Sequence, residues 1–307
     1  MATDIPRPGG RPFVTDGGLE TDLIFNRGAD LPEFAAFPLV DDQRGRPLLS
    51  AYYDEYAAIA RAAGVALMLE TPTWRANPDW GERVGYGRES LDRVNRDSVA
   101  LLADLRTGYA DLADVLVGGV VGPRGDGYVA GERTDPAEAA DYHAPQVEAF
   151  AAAGADLVSA YTLTGPEEAV GVVRAARAAG IPVAVSFTVE TDGRLPDGTT
   201  LAAAVDRVDA DGGPDYFLVN CAHPSHIGPG LVDGAWRERV LGVLPNASTM
   251  THAELDAAEE LDDGDPTELA ASTDRLRDAL PNLTVLGGCC GTDARHVAAM
   301  WGVAPSR

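Results

Sequence analysis

Val285-Leu286-Gly287-Gly288-Cys289-Cys290-Gly291-Thr292-Asp293 joins an apolar run to the start of what reads as the last helix. Two glycines stop the run and two adjacent cysteines follow. Gly-Thr-Asp then opens the helix. The remaining cysteine, Cys221, stands in Leu218-Val219-Asn220-Cys221-Ala222-His223-Pro224, again where an apolar run stops. Three cysteines, each just past a strand-like segment, point to one site built from thiolates. Such a site needs a fold that gathers distant strand ends.

The rest of the chain supplies that pattern. Short apolar runs alternate with longer amphipathic stretches, the signature of repeated βα units. Strands are expected at Phe13–Thr15, Val65–Leu69, Val115–Val120, Asp156–Ala160, Val183–Phe187, Tyr216–Val219, Val240–Leu244 and Leu283–Leu286. Between them lie helical patterns such as Leu48–Ala63, with apolar residues at helical spacing and Gly64 as its stop. Eight such runs in 307 residues, with no low-complexity linker, predict a single (β/α)8 TIM barrel domain over 1–307. A doubly wound open sheet shows the same alternation and is the alternative.

Composition narrows the classes of partner. The formal net charge is -24, from 24 basic and 48 acidic side chains, and every basic residue is Arg. A field this negative repels nucleic acid and anionic lipid, so neither is expected as a partner. An acidic, lysine-free surface suits a protein kept soluble in concentrated salt, where repulsion is screened within a few ångströms. GC-rich coding bias is the other source of lysine loss; the acidic excess favours salt. The segment Met1–Pro8 has no apolar signal region and no run is long enough to span a membrane, so the expected location is cytoplasmic. Three cysteines, an odd number with two adjacent, fit reduced thiols better than a disulfide framework. Nothing in the sequence assigns an oligomeric state.

In a (β/α)8 barrel the active site gathers at the C-terminal ends of the strands. Asp16, Glu70, Thr71, Cys221, Cys289 and Cys290 all fall there in this reading. Cys221 and Cys289 are too far apart for a local zinc knuckle, but the spacing is natural for the sixth and eighth strands. Three thiolates can hold Zn²⁺ at ~2.3 Å each and leave one tetrahedral corner open. Soft sulfur donors favour zinc over magnesium or calcium. A thiol at the open corner loses its proton although it titrates near ~8.5 when free. Three small buried thiols, or a closed structural site completed by His223, are the alternatives. His143, His226, His252 and His296 show no pairing and read as surface or helix residues. The acidic stretch Glu254–Asp265 reads as a solvated helix and its loop.

Taken together these residues resemble the homocysteine S-methyltransferase family. The resemblance runs from about Val14 to Met300. Its anchors are Asp16-Gly17-Gly18-Leu19-Glu20-Thr21, Glu70-Thr71-Pro72-Thr73, Gly119-Val120-Val121-Gly122-Pro123, Tyr142-His143, Ser186-Phe187-Thr188 with Asp197-Gly198-Thr199, Asn220-Cys221 and Gly287-Gly288-Cys289-Cys290-Gly291-Thr292. It implies a (β/α)8 barrel with zinc on Cys221, Cys289 and Cys290. Homocysteine thiolate would take the fourth position and attack a methyl group on an onium or cobalt donor, giving methionine. Asp16 matches the position near the homocysteine amino group, and Thr71 lies in the segment lining the same pocket. Gly17, Glu70, Tyr161 and Asn220 complete the expected substrate-binding set.

One departure concerns the acceptor. Members of that family carry a Glu after the fourth strand that binds the substrate's amino group, and here the matching residue is Tyr161. A phenol is neutral at pH 7 and cannot pair with an ammonium as a carboxylate does. Either Asp16 or Glu70 supplies the charge, or the acceptor is a different thiol. A zinc-binding barrel without catalysis is the reading outside enzymes. The sequence stops soon after the cysteine motif, so no cobalamin or folate domain is expected. The donor is then a small molecule such as S-methylmethionine, S-adenosylmethionine or a betaine, or a separate corrinoid protein.

Overall fold

The computed structural model describes residues 4–131 and 134–304. The first three residues of the N-terminal stretch read above lie outside them. Eight strands pair in sequence order: β1 (Phe13–Val14), β2 (Ala66–Glu70), β3 (Val115–Val121), β4 (Leu157–Leu163), β5 (Val183–Phe187), β6 (Tyr216–Asn220), β7 (Val240–Leu244) and β8 (Val285–Leu286). Every pairing is parallel, and β1 also pairs with β8, with Phe13 beside Val285. The ring is closed, which excludes the open doubly wound sheet. The fold is a (β/α)8 barrel, as the alternation of runs predicts.

Two apolar layers hold it together. Alternate strand residues point to opposite faces: on β3, Leu116 and Val120 face the barrel interior while Val117 and Val121 pack beneath the helices. The interior set also holds Phe13, Met68, Leu157, Tyr216, Leu218, Leu241 and Val285, so the barrel is plugged below its mouth. The outer layer takes the apolar stripes of the helices. The helix Gly45–Ala63 buries Leu49, Tyr52, Tyr53, Tyr56, Ile59 and Ala60. It ends at Gly64, whose φ of 67° is the left-handed cap conformation. Side-chain caps start other helices, among them Asp135 before Pro136–Ala153 and Thr200 before Leu201–Asp209.

The strands differ from the sequence reading mostly at their C-terminal ends. β2 includes Glu70, β4 runs on through Tyr161 to Leu163, and β6 includes Asn220. A change from apolar to polar residues reads as a strand end, but at the barrel mouth the backbone ladder continues beneath polar side chains. Thr71 N–H still donates to the Gly118 carbonyl at 3.0 Å. The first long helix begins at Gly45 rather than Leu48, because Pro47 is tolerated in a first turn that leaves its missing N–H unneeded.

Candidate active site

The loops at the strand C-termini enclose a cavity of about 430 Å³. Asp16, Gly17, Glu70, Thr71, Tyr161, Asn220, Cys221, Cys289 and Cys290 all line it. The ligand atoms of the three cysteines lie within 4.8 Å of one another. Cys221 is buried, and Cys289 and Cys290 are partly so.

Backbone geometry brings them together. Cys221 follows β6 with φ of 54°, an uncommon conformation for a residue with a Cβ, and its N–H donates to the Leu244 carbonyl at 3.0 Å. The segment 287–291 is tied on both sides: Gly288 N–H donates to Asp16 O at 2.7 Å, and Cys289 N–H donates to Pro245 O at 2.9 Å. Side chains at 287 and 288 would collide with Thr15 and Thr292, so glycine is required at both positions by close approach.

Polar side chains then dress the sulfurs. Asn220 Oδ1 accepts from Thr162 N–H at 2.9 Å and from Ser186 Oγ at 2.7 Å, while Nδ2 reaches Thr162 Oγ1 at 2.8 Å and Cys289 Sγ at 3.6 Å. The Tyr128 phenol lies 3.2 Å from Cys221 Sγ. The neighbouring thiols, Cys289 first and then Cys290, draw the Cys221 thiol well below its ordinary pKa, and Cys221 in turn pushes Cys289 up. A cluster in which one sulfur is readily a thiolate and two more are within reach is a soft donor set, and it fits a metal that prefers sulfur.

The cavity is also carboxylate-rich. Glu70 Oε1 accepts from Ser159 Oγ at 3.0 Å and from Tyr161 OH at 2.8 Å. Oε2 is buried without a partner among the described residues. Burial raises Glu70 to about 7, even though both hydroxyls favour its charged form. Asp16 is raised by burial first and then by the charges of Glu70 and Glu20. Glu20, also on the cavity, is pushed up to about 7 by burial. The phenol of Tyr161 therefore sits beside a carboxylate that arrives from β2.

Several residues at this site carried no sequence signal. Tyr128 lies between β3 and the helix Pro136–Ala153, where the sequence points to no site residue, and its ring stacks on His252 at 4.2 Å. His252 is buried, with Nδ1 3.0 Å from Glu190 and Nε2 3.0 Å from the Cys221 carbonyl. The reading of the histidines as unpaired is thus corrected for three of the four: besides His252, His143 meets Glu168 at 2.9 Å and His296 meets Asp293 at 3.0 Å, and both rings are buried. The partners of His143 and His252 come from other elements, which spacing alone does not reveal, whereas Asp293 caps the helix of His296 three residues before it. His223 caps the helix Pro224–Gly230 through Ser225 and does not belong to the sulfur cluster. The acidic stretch is also more than a solvated helix. Its helix spans His252–Asp256, and Ala258, Leu261 and Asp262 beyond it wall the cavity.

Comparison with known proteins agrees with this arrangement. The profile of the family described as homocysteine S-methyltransferase matches residues 13–303. No curated protein matches the sequence. The metallated form of the Escherichia coli homocysteine methyltransferase MmuM superposes with a TM-score of 0.74 at 23% identity, covering 95% of this chain and 96% of that one. Its oxidized form gives 0.75 at 22%, covering 95% of each chain. At these identities the superpositions speak for the fold. The family match spans nearly the whole chain, and with it the cysteine and Asp16 motifs: this chain belongs to the homocysteine S-methyltransferase family.

Proposed function

We propose that this protein is a zinc-dependent methyltransferase that moves a methyl group from a small-molecule donor to the thiol of homocysteine, giving methionine. The observation that carries this reading is the meeting of Cys221 with Cys289 and Cys290 at one wall of the cavity. Zinc held by these three sulfurs would lower the pKa of an acceptor thiol, so that it loses its proton to solvent at neutral pH.

The chain's own residues do the rest. Asn220 orients Cys289, and Tyr128 covers Cys221, shielding that wall from water. Asp16 and Glu70 receive the acceptor's ammonium. Both carboxyls are raised by burial, and Asp16 further by the charge of Glu70, so a cation placed with them relieves that cost. Ser159 and Tyr161 fix Oε1 of Glu70 and leave Oε2 for that cation. This supports homocysteine as acceptor despite Tyr161 at the position where a Glu was expected, since the charge comes from β2 instead of β4. A thiol held at the cysteine wall and an ammonium held at Glu70 leave the rim side of the cavity for the donor. Transfer then requires only that the donor methyl be aligned with the thiol.

The test is methionine formation by the zinc-loaded protein from homocysteine with S-methylmethionine, S-adenosylmethionine, glycine betaine or a methylated corrinoid protein. The expected result is turnover with at least one donor and loss of both zinc and turnover in Cys290→Ser. Full zinc content and full activity in that variant would overturn the site.

A further inference from the structure

Arg75 is the only basic side chain among the described residues lining the cavity. In a chain with 48 acidic and 24 basic side chains, it bonds to no carboxylate among the described residues. It is nonetheless held in place. Cζ stands 3.7 Å from the centre of the Trp80 ring, 5.1 Å from Trp74 and 5.7 Å from Phe34, and Nη1 donates to the Glu33 carbonyl. Nε is buried and has no acceptor among the described residues. The turn that supplies the Glu33 carbonyl and the Phe34 ring has φ of 55° and 56° at these two residues, left-handed conformations that side chains disfavour. Leaving a half-buried guanidinium without an anion is costly, and here a strained turn and three aromatic rings keep it so.

A guanidinium that lines a cavity and bonds to no carboxylate among the described residues is suited to take a carboxylate or a phosphate. The charges around it choose between them. Glu20 and Asp126 act on Arg75 without bonding to it, and both border the same space. They repel a dianion but tolerate the single negative end of a zwitterion, whose cationic end they favour.

Resting on the reading of this cavity as a methyl-transfer site, we propose that Arg75 binds the carboxylate of a zwitterionic substrate, held at the rim between Trp74, Trp80 and Phe34. That carboxylate belongs either to the methyl donor, as in a betaine or a sulfonium amino acid, or to the thiol acceptor. In both cases Arg75 selects for acids over neutral analogues.

The experiment is titration calorimetry on the zinc-loaded full chain. Glycine betaine, dimethylsulfonioacetate and L-homocysteine are each measured beside their methyl esters, in wild type, Arg75→Gln and Arg75→Lys. The expected result is that Arg75→Gln weakens at least one acid about ten-fold or more, the scale of a charge-assisted bond, while leaving its ester unchanged. Arg75→Lys should recover part of the loss, since it keeps the charge but not the fork. The compound that loses affinity identifies the source: the betaines mark the donor, homocysteine the acceptor. Equal losses for acid and ester would mean that Arg75 only holds the Glu33–Phe34 turn and would overturn the proposal. So would wild type binding no acid more tightly than its ester. This ratio needs no variant, so it decides the matter even where Arg75→Gln does not fold. Methionine is not read in this experiment. Arg75-dependent binding without turnover in the separate donor assay therefore counts against the proposed reaction and leaves the carboxylate site standing.

Discussion

At the scale of a single side chain, the proposed role of Glu70 in recognition would be tied to stability. Burial moves its pKa from 4.5 to about 7. Between those values the folded chain holds a proton that the unfolded chain has released. The stability this contributes is complete below pH 4.5 and is lost as pH rises through about 7. The loss for this 3% exposed group is roughly 3 kcal/mol. Glu70→Gln removes it. Urea unfolding of the ligand-free protein should show the variant gaining on wild type from pH 5 to pH 8, while its affinity for homocysteine falls over the same range. Parallel stability curves would contradict the assignment. Asn220 offers a second check, since its amide joins Thr162, Ser186 and Cys289. Asn220→Ala strands a buried N–H, which costs about 1–3 kcal/mol. It also frees Cys289, and zinc affinity, measured by competition with a chelator, should drop about 10- to 100-fold.

Among the elements, β2 and β3 show how the mouth is shaped. Gly118 lies beside Glu70 in the ladder, and a Cβ at Gly118 would run into the Glu70 carboxyl. Gly118→Ala should therefore cost about 1–3 kcal/mol through overpacking. Its loss of homocysteine affinity should exceed that of an overpacked site away from the mouth, such as Gly119→Ala against Phe150. Equal affinity in the two variants would argue against a role for the Glu70 position. The barrel and the three cysteines were legible in the sequence because they depend on alternation and on motifs next to strand ends. Glu70's bond to Tyr161, the stacking of Tyr128 on His252, and the pairing of His143 with Glu168 were not legible. Each joins residues from separate turns or elements. Only closure of the ring fixes which loops meet, and local periodicity carries no trace of that. Tyr161 itself was read as lying past β4, because polar residues at a barrel mouth look like a strand end while the ladder continues.

For the molecule as a whole, charge and chemistry separate. The net charge of -24 is spread over a surface where pairs such as Arg61–Asp111 and Arg174–Asp211 are exposed and individually contribute little. The excess repulsion should be relieved by salt, so the melting temperature is expected to rise from low to multimolar KCl; equal melting would remove salt adaptation from the account. The chemistry rests instead on the closed ring, which brings β6 and β8 close enough for Cys221 to join Cys289 and Cys290. Zinc K-edge absorption of the loaded protein, recorded with and without L-homocysteine, tests that claim most directly. Three sulfur ligands at ~2.3 Å should become four when homocysteine is added. Fewer than three sulfurs beforehand, or an unchanged count afterwards, would contradict a site built to bind the acceptor through its thiol.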